Sequence, residues 1–256
     1  MRYRLSPSKA GAVVLSMGLL FAGTGSVSAQ ESGSADPWKF KAALYLWGAA
    51  IDGTTRGGNE FDASFSDIWD NLDFAFMGAF EARKGKWSVA ADVIYMDVSA
   101  DRAGTIGPRN APVSADLDLT GWVFNFQGAR NVYEHENASV DVLLGARYLD
   151  LESKLTVTTS GFFGSRTSEA SGDVWDGIVG VKGQINVSKS WFLPYHLDIG
   201  TGQSDATWQV LGGVGYAFKH VDLILAYRYL AWNFDSDSQL EDMNLSGPLF
   251  GAVFKF

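Results

Sequence analysis

The chain has no cysteine. That excludes disulfides, thiol nucleophiles and thiolate metal sites, and also a lipid-modified cysteine as an anchor. Histidine is nearly as scarce, with 3 in 256 residues, so imidazole chemistry has few possible carriers. Basic charge is in deficit: 20 Lys and Arg against 29 Asp and Glu leave a net charge of -9. An acidic chain does not attract nucleic acid electrostatically, and no nucleic-acid partner is expected. No glycine-rich nucleotide loop is present; the glycines of Leu211-Gly-Gly-Val-Gly-Tyr216 suit close strand packing instead, and no cofactor is expected. Long apolar runs are missing too. The longest, Ala10 to Phe21, falls short of the roughly 20 residues that a spanning helix needs. A chain without such helices enters a membrane only as a closed barrel, because lipid cannot satisfy an open sheet edge.

The N-terminus carries Arg2, Arg4 and Lys9, then that short apolar run, then Val27-Ser28-Ala29, a small-residue cleavage site. Residues 1–29 therefore read as a cleaved secretory signal, 30–37 as a short extension and 38–256 as one barrel domain. Loss of the signal removes three basic residues and no acidic one, so the mature chain is still more acidic.

What the chain has in quantity is glycine and aromatics, with 29 Gly, 9 Trp, 9 Tyr and 17 Phe. They are arranged with a period of two, the signature of strands. In Gly247 to Phe256 one parity carries Phe250, Ala252, Phe254 and Phe256, and the other Leu249, Gly251, Val253 and Lys255. Trp38 to Trp47, Phe74 to Lys84 and Trp87 to Ala100 alternate likewise, the last two joined by a tight turn at Lys84-Gly85-Lys86. Further strands are expected near 113–131, 139–158, 173–187, 191–200, 206–218, 221–232 and 240–256. A terminal strand ending in Phe resembles the C-terminal signature of Gram-negative outer-membrane β-barrels. The resemblance implies that this strand closes the barrel and that Phe256 is read by the barrel assembly machinery.

Short connections fall near 85, 135, 189 and 219 and longer ones near 105, 165, 203 and 236, the asymmetry of a barrel with periplasmic turns and outer loops. The expected fold is a transmembrane antiparallel up-and-down β-barrel of about 10 strands, within a range of about 8 to 12. Its outer face would contact lipid and lipopolysaccharide in the cell outer membrane. Trp38, Trp87 and Trp191 mark one aromatic girdle; Trp47, Trp122, Trp175, Trp208 and Trp232 mark another, roughly 25 Å away, although Trp47 and Trp232 are out of parity with it. Residues 48–73 form a long first outer loop, with a strand extension at 59–65 and a short helix capped by Ser66. The segment Phe61-Asp-Ala-Ser-Phe-Ser-Asp-Ile-Trp-Asp-Asn-Leu-Asp-Phe74, with Gly145-Ala-Arg-Tyr148 and Leu245-Ser-Gly-Pro-Leu-Phe-Gly251, resembles a group of secreted outer-membrane barrels without assigned activity. That resemblance implies location and fold, and no reaction.

The parity opposite the aromatics lines the lumen, with Glu81, Arg83, Asp92, Asp141, Arg147, Asp176, Lys182, Asp222 and Arg228, and with Lys39, Lys41, Asn125, Gln127, Gln184, His196, Asp198 and Lys255 beside them. Charges of both signs inside a narrow barrel pair with one another, because an unpaired buried charge is costly. Three functions follow in order of preference: a narrow passive channel or small-solute binder lined by these charges; a closed structural or interaction barrel acting through its outer loops; and a hydrolase using His196 and Asp198, where a carboxylate orients an imidazole. His135 and His220 fall in turns. Asp67, Asp70 and Asp73, or Asp235, Asp237, Glu241 and Asp242, could gather a divalent cation, although neither set matches an EF-hand loop and no metal site is assigned.

Overall fold

In this computed structural model residues 36–106, 111–159 and 164–256 are described. The signal reading of 1–29 and nearly all of the 30–37 extension lie outside them. Among the described residues there are twelve strands and one short helix, and no helix is long and apolar enough to cross a membrane.

The first strand, β1 (Trp38–Trp47), pairs antiparallel with β4 (Leu72–Lys84) on one side and with β12 (Leu240–Lys255) on the other. Between them run β5 (Trp87–Ile106), β6 (Ala111–His135), β7 (Ala138–Thr159), β8 (Ser165–Asn186), β9 (Trp191–Gly202), β10 (Ser204–Ala217) and β11 (Val221–Phe234), each bonded to its sequence neighbours. The β1–β12 ladder closes ten strands into a barrel, so no edge is left in that ring. The tight turn after β4 uses Gly85 at a φ of 56°, a left-handed conformation that glycine adopts without a Cβ clash.

Alternation sorts the side chains. On β1, Trp38, Phe40, Leu44 and Leu46 are exposed on the outer face, while Tyr45 and Trp47 turn inward. Leu144 is 71% exposed between Leu143 at 1% and the largely enclosed Gly145. The outward aromatics form two belts. Trp38, Phe40, Trp87, Trp191 and Tyr216 ring the short-turn end. Tyr95 on Trp122, Tyr148 on Trp175 and Trp208 on Tyr229, with centroids 4.4–4.6 Å apart, ring the other.

Four findings correct the sequence reading. First, Trp47 and Trp232 do not join the outer belt; they are 5% and 0% exposed and lie inside. Strand parity is unbroken at both positions, and it outweighs the preference of indole for an interface. Second, residues 48–73 are not simply a loop. The first strand resumes as β2 (Ala50–Thr55), paired with β12 in the register that β1 began: Trp47 faces Leu249 and Ala50 faces Ser246. At the handover Gly247 packs against the Gly48 carbonyl so closely that a Cβ would lie 2.0 Å from its oxygen. The chain then doubles back through β3 (Glu60–Ala63), shorter than the expected 59–65 extension, into helix α1 (Phe65–Asp70). Third, the helix is capped by Ser64, not Ser66: Asp67 N–H donates to Ser64 Oγ at 3.2 Å and Ser64 N–H donates to Asp67 Oδ2 at 3.1 Å. A serine followed three residues on by a carboxylate satisfies two orphan amides at once, which Ser66 cannot do.

Fourth, the stretches near 105 and 165 are strands of long hairpins. β5 to β8 are 20, 25, 22 and 22 residues long against 10 for β1 and 12 for β9, and their ladders continue past the aromatic belt to Ile106–Ala111 and Thr158–Ser165. Their Ser, Thr and Gly content reads as loop, yet threonines such as Thr156 and Thr167 pair across strands, their Oγ1 atoms 3.2 Å apart. The connection near 203 is short, with only Gln203 between β9 and β10.

Candidate functional site: a divided lumen

The lumen has two halves of opposite chemistry. Toward the long hairpins it is filled by an apolar cluster: Trp47, Ala49, Ile51, Met77, Ile94, Val98, Val123, Leu149, Leu230, Trp232, Phe234, Met243 and Leu245. These come from β1, β2, β4, β5, β6, β7, β11 and β12, so the cluster bridges opposite walls. Helix α1 adds Ile68, 7% exposed, to the same cluster while turning Phe65 and Trp69 outward. Trp47 Nε1 donates to the Gly247 carbonyl at 3.2 Å; Trp232 Nε1 is buried without an acceptor among the described residues.

Beneath this plug lies a polar layer built on two arginines. Arg147, 1% exposed, donates from Nε to Asn125 Oδ1 at 2.8 Å, from Nη1 to Thr207 Oγ1 at 2.8 Å and from Nη2 to Asp198 Oδ1 at 2.7 Å. Arg228 donates to Gln209 Oε1 at 2.6 Å and 2.9 Å, to Asp92 Oδ2 at 2.9 Å and to the Tyr45 hydroxyl at 3.3 Å. Tyr45 in turn donates to Asp92. Each guanidinium lies over an indole ring of the plug, Arg147 5.9 Å from the Trp232 centroid and Arg228 5.0 Å from that of Trp47. A guanidinium hydrogen-bonds through its edge and stacks through its plane, so it can seal an apolar layer to a polar one. The arginines cross the lumen to their partners, and the layer ties β1, β5, β6, β7, β9, β10 and β11 together.

Toward the short turns the lumen opens into a cavity of about 360 Å³. It is lined by the ion pairs Lys182–Glu81 at 2.7 Å and Arg83–Asp141, with Glu81 also 3.3 Å from Arg83. Lys41, Gln184, Phe192 and Asp222 continue from it to the vestibule framed by Glu136, Asn137 and Ser188 to Ser190. Lys255 closes on Asp222 at 2.7 Å.

The expected lumen residues therefore divide into groups. Glu81, Arg83, Asp92, Asp141, Lys182, Asp222 and Arg228 line the cavity. Arg147 and Asp176 face inward but are sealed away from it; Asp176, 2% exposed, accepts from Ser204 N–H at 2.9 Å and Ser204 Oγ at 2.8 Å. His196 Nε2 is 2.9 Å from Asp198 Oδ2, and that carboxylate also takes Arg147 and Gln209. The Asp198 carboxylate orients the His196 ring, and among the described residues no hydroxyl is hydrogen-bonded to that ring. Asp67 serves the helix cap, and Asp73 accepts from Ser99 Oγ at 2.6 Å. No group of three or more His, Asp or Glu is placed to share a metal ion among the described residues. His135 ends β6 rather than lying in the turn.

The sequence reading missed Tyr45, Thr207 and Gln209 in the polar layer and both plug tryptophans. Tyr45, Trp47 and Trp232 share the parity of charged residues on their own strands, and Thr207 and Gln209 alternate with the outward Trp208 and Val210, which is the signal that finds them.

No protein-family model and no curated protein sequence matches the chain. Solved structures similar to it are barrels. The translocator domain of the autotransporter NalP from Neisseria meningitidis is 14% identical, covers 88% of this chain and 90% of its own, and has a TM-score of 0.47. The attachment invasion locus protein Ail of Yersinia pestis is 13% identical over 86% of this chain and 99% of its own, with a TM-score of 0.37. The P. putida toluene transporter TodX is 11% identical over 88% of this chain and 90% of its own, with a TM-score of 0.30. These likenesses concern the barrel fold alone.

Proposed function

We propose that this protein is an outer-membrane β-barrel that is closed to through-flow and acts as an interaction barrel through its four long strands. The outer face supports the location. Leu44, Leu46, Phe76, Phe80, Leu144, Ile199, Leu225 and Phe250 are each about half exposed or more, a contiguous apolar band that water would penalise and hydrocarbon would not. The short turns then lie in the periplasm and the hairpins of β5–β6 and β7–β8 outside, with lipid and lipopolysaccharide against the band and the assembly machinery engaging the strand that ends at Phe256.

The observation that carries closure is the plug: Leu230 and Trp232 are 0% exposed and Trp47 is 5% exposed. A water path needs open space along its whole length, and here the outer half of the lumen is packed hydrocarbon backed by a hydrogen-bonded arginine layer. The surface left for a partner is the sheet of β5 to β8 beyond the aromatic belt, which carries Asp116, Asp118, Glu152 and Glu169 with Lys154 and Arg166 and rises at about 3.3 Å per residue.

The test is planar-bilayer conductance of the refolded mature protein, with insertion verified by heat-modifiable gel mobility. Silence from folded protein is expected. Stable unitary steps would overturn closure.

A further inference from the structure

We propose that the short-turn end of the barrel's outer face is a binding site for one anionic phospholipid of the periplasmic leaflet. The inference rests on the outer-membrane placement proposed above and adds a defined ligand site to it. Its first support is a row of side chains set by strand register. Trp38 stands opposite Lys84, Lys84 opposite Trp87, and Trp87 opposite Arg130. Four neighbouring strands, β1, β4, β5 and β6, thus carry indole, ammonium, indole and guanidinium side by side on the outward parity. Both indoles are more than half exposed. Lys84 Nζ lies 5.7 Å from the Trp38 ring centroid, and Arg130 Cζ lies 5.3 Å from that of Trp87. Indole settles at the depth of lipid headgroups, so the row holds two cations where lipid phosphates lie.

The second support is that these cations are free. On the inward parity of the same end Arg83, Lys182 and Lys255 each have a carboxylate. Lys84 and Arg130 have no ion-pair or side-chain hydrogen-bond partner among the described residues, and their cross-strand neighbours are Trp38, Trp87 and Val142, none of them acidic. Asp36 is turned to Gly85 instead, where an added Cβ would sit 2.7 Å from its Oδ2. Lys84 and Arg130 stand two strand spacings apart, roughly 10 Å, close enough for both long side chains to reach one phosphodiester over Trp87. Arginine and lysine both donate to phosphate oxygens. A zwitterionic headgroup brings its own ammonium, which two unpaired cations repel.

The third support is a notch for the acyl chain. Gly128 is the next outward residue of β6 after Arg130, and it is exposed. Val89 and Leu144, both exposed, face it from the two neighbouring strands, and Phe126 follows it along β6. An added Cβ at Gly128 would meet nothing nearer than the Leu144 carbonyl oxygen at 4.0 Å. The band is therefore indented below the guanidinium and apolar on each side, a shape that takes a hydrocarbon chain whose headgroup rests on the row.

The test is native mass spectrometry of the folded full barrel released from micelles that contain phosphatidylglycerol and phosphatidylcholine of identical chains in equal amounts. One retained phosphatidylglycerol is expected, in at least tenfold preference to phosphatidylcholine. Lys84→Gln and Arg130→Gln should each cut that preference about fivefold, and together they should remove it. Gly128→Leu, which fills the notch without touching the charges, should lower retention of both lipids and leave their ratio unchanged. The paired control Lys189→Gln/Lys219→Gln removes the same charge from exposed turns off the row and should leave the preference intact. Heat-modifiable gel mobility verifies that every variant is folded. Equal retention of the two lipids by the unaltered barrel, an undiminished preference in folded Lys84→Gln/Arg130→Gln, or an equal loss in the turn control would overturn the site. Membrane placement is read separately by insertion into phosphatidylcholine vesicles: a barrel that inserts but shows no preference sinks the site alone, and one that does not insert sinks both.

Discussion

The two halves of the lumen use the same ten strands and the same inward parity, yet one is a dry core and the other a charged cavity. Along β5 the inward positions Ser88, Ala90 and Asp92 are small or polar, whereas Ile94, Met96 and Val98 are apolar. Along β11 the inward run Asp222, Ile224, Ala226 and Arg228, charged at both ends, gives way to Leu230, Trp232 and Phe234. A barrel wall therefore fixes which side chains face inward, and composition along the strand decides whether that interior holds water. The Arg147–Trp232 and Arg228–Trp47 contacts lie at the boundary, where one residue type must satisfy both chemistries.

That division can be broken from several sides. The largest effect is expected at the boundary. Arg147→Ala leaves the Asp198 carboxylate sealed without its cation, and should cost about 3–5 kcal/mol, measured by urea unfolding in lipid vesicles. Within the plug, Leu230→Ala removes a side chain with no exposure and should cost about 2–5 kcal/mol, with Leu211→Ala, which already borders the cavity, costing less than half as much. Equal costs would mean that the two halves are packed alike. At the rim, Ser64→Ala removes the helix cap and should cost about 1 kcal/mol, with tryptophan fluorescence reporting any loosening of Trp69. The smallest effect belongs to the outer hairpins. Lys154 and Glu169 are 3.9 Å apart with side chains 52% and 71% exposed, and Lys154→Ala should shift stability by less than about 0.5 kcal/mol.

Much of this architecture was legible in the residues. Alternation from Trp38 to Trp47 and from Phe74 to Lys84 marks strands whose ladders pair Trp38 with Lys84, and ten strands with alternating faces follow from local pattern because a strand has only two sides. Two things were not legible. The handover from β1 to β2 depends on Gly247 meeting Gly48, a contact across 199 positions of chain, and nothing local near Gly48 announces that the strand resumes. The hairpin stretches near 105 and 165 look like loops because Ser, Thr and Gly are used in both, and only their partners' register makes them strands. For the lumen, parity placed Glu81, Arg83 and Arg228 on one face but not which charges meet. Trp47 and Trp232 belong to the inward parity, which outweighs the interface preference of indole that their distance from the short turns suggests.

The most direct measurement of the divided lumen uses the absence of native cysteine. Ala90 and Ile94 lie on the inward face of β5, the first lining the cavity and the second 3% exposed in the plug. In folded barrels, Ala90→Cys should react readily with a small charged thiol reagent while Ile94→Cys stays unmodified until the protein is unfolded. Comparable labelling of both in the folded state would mean that water runs the length of the lumen, and would contradict the account.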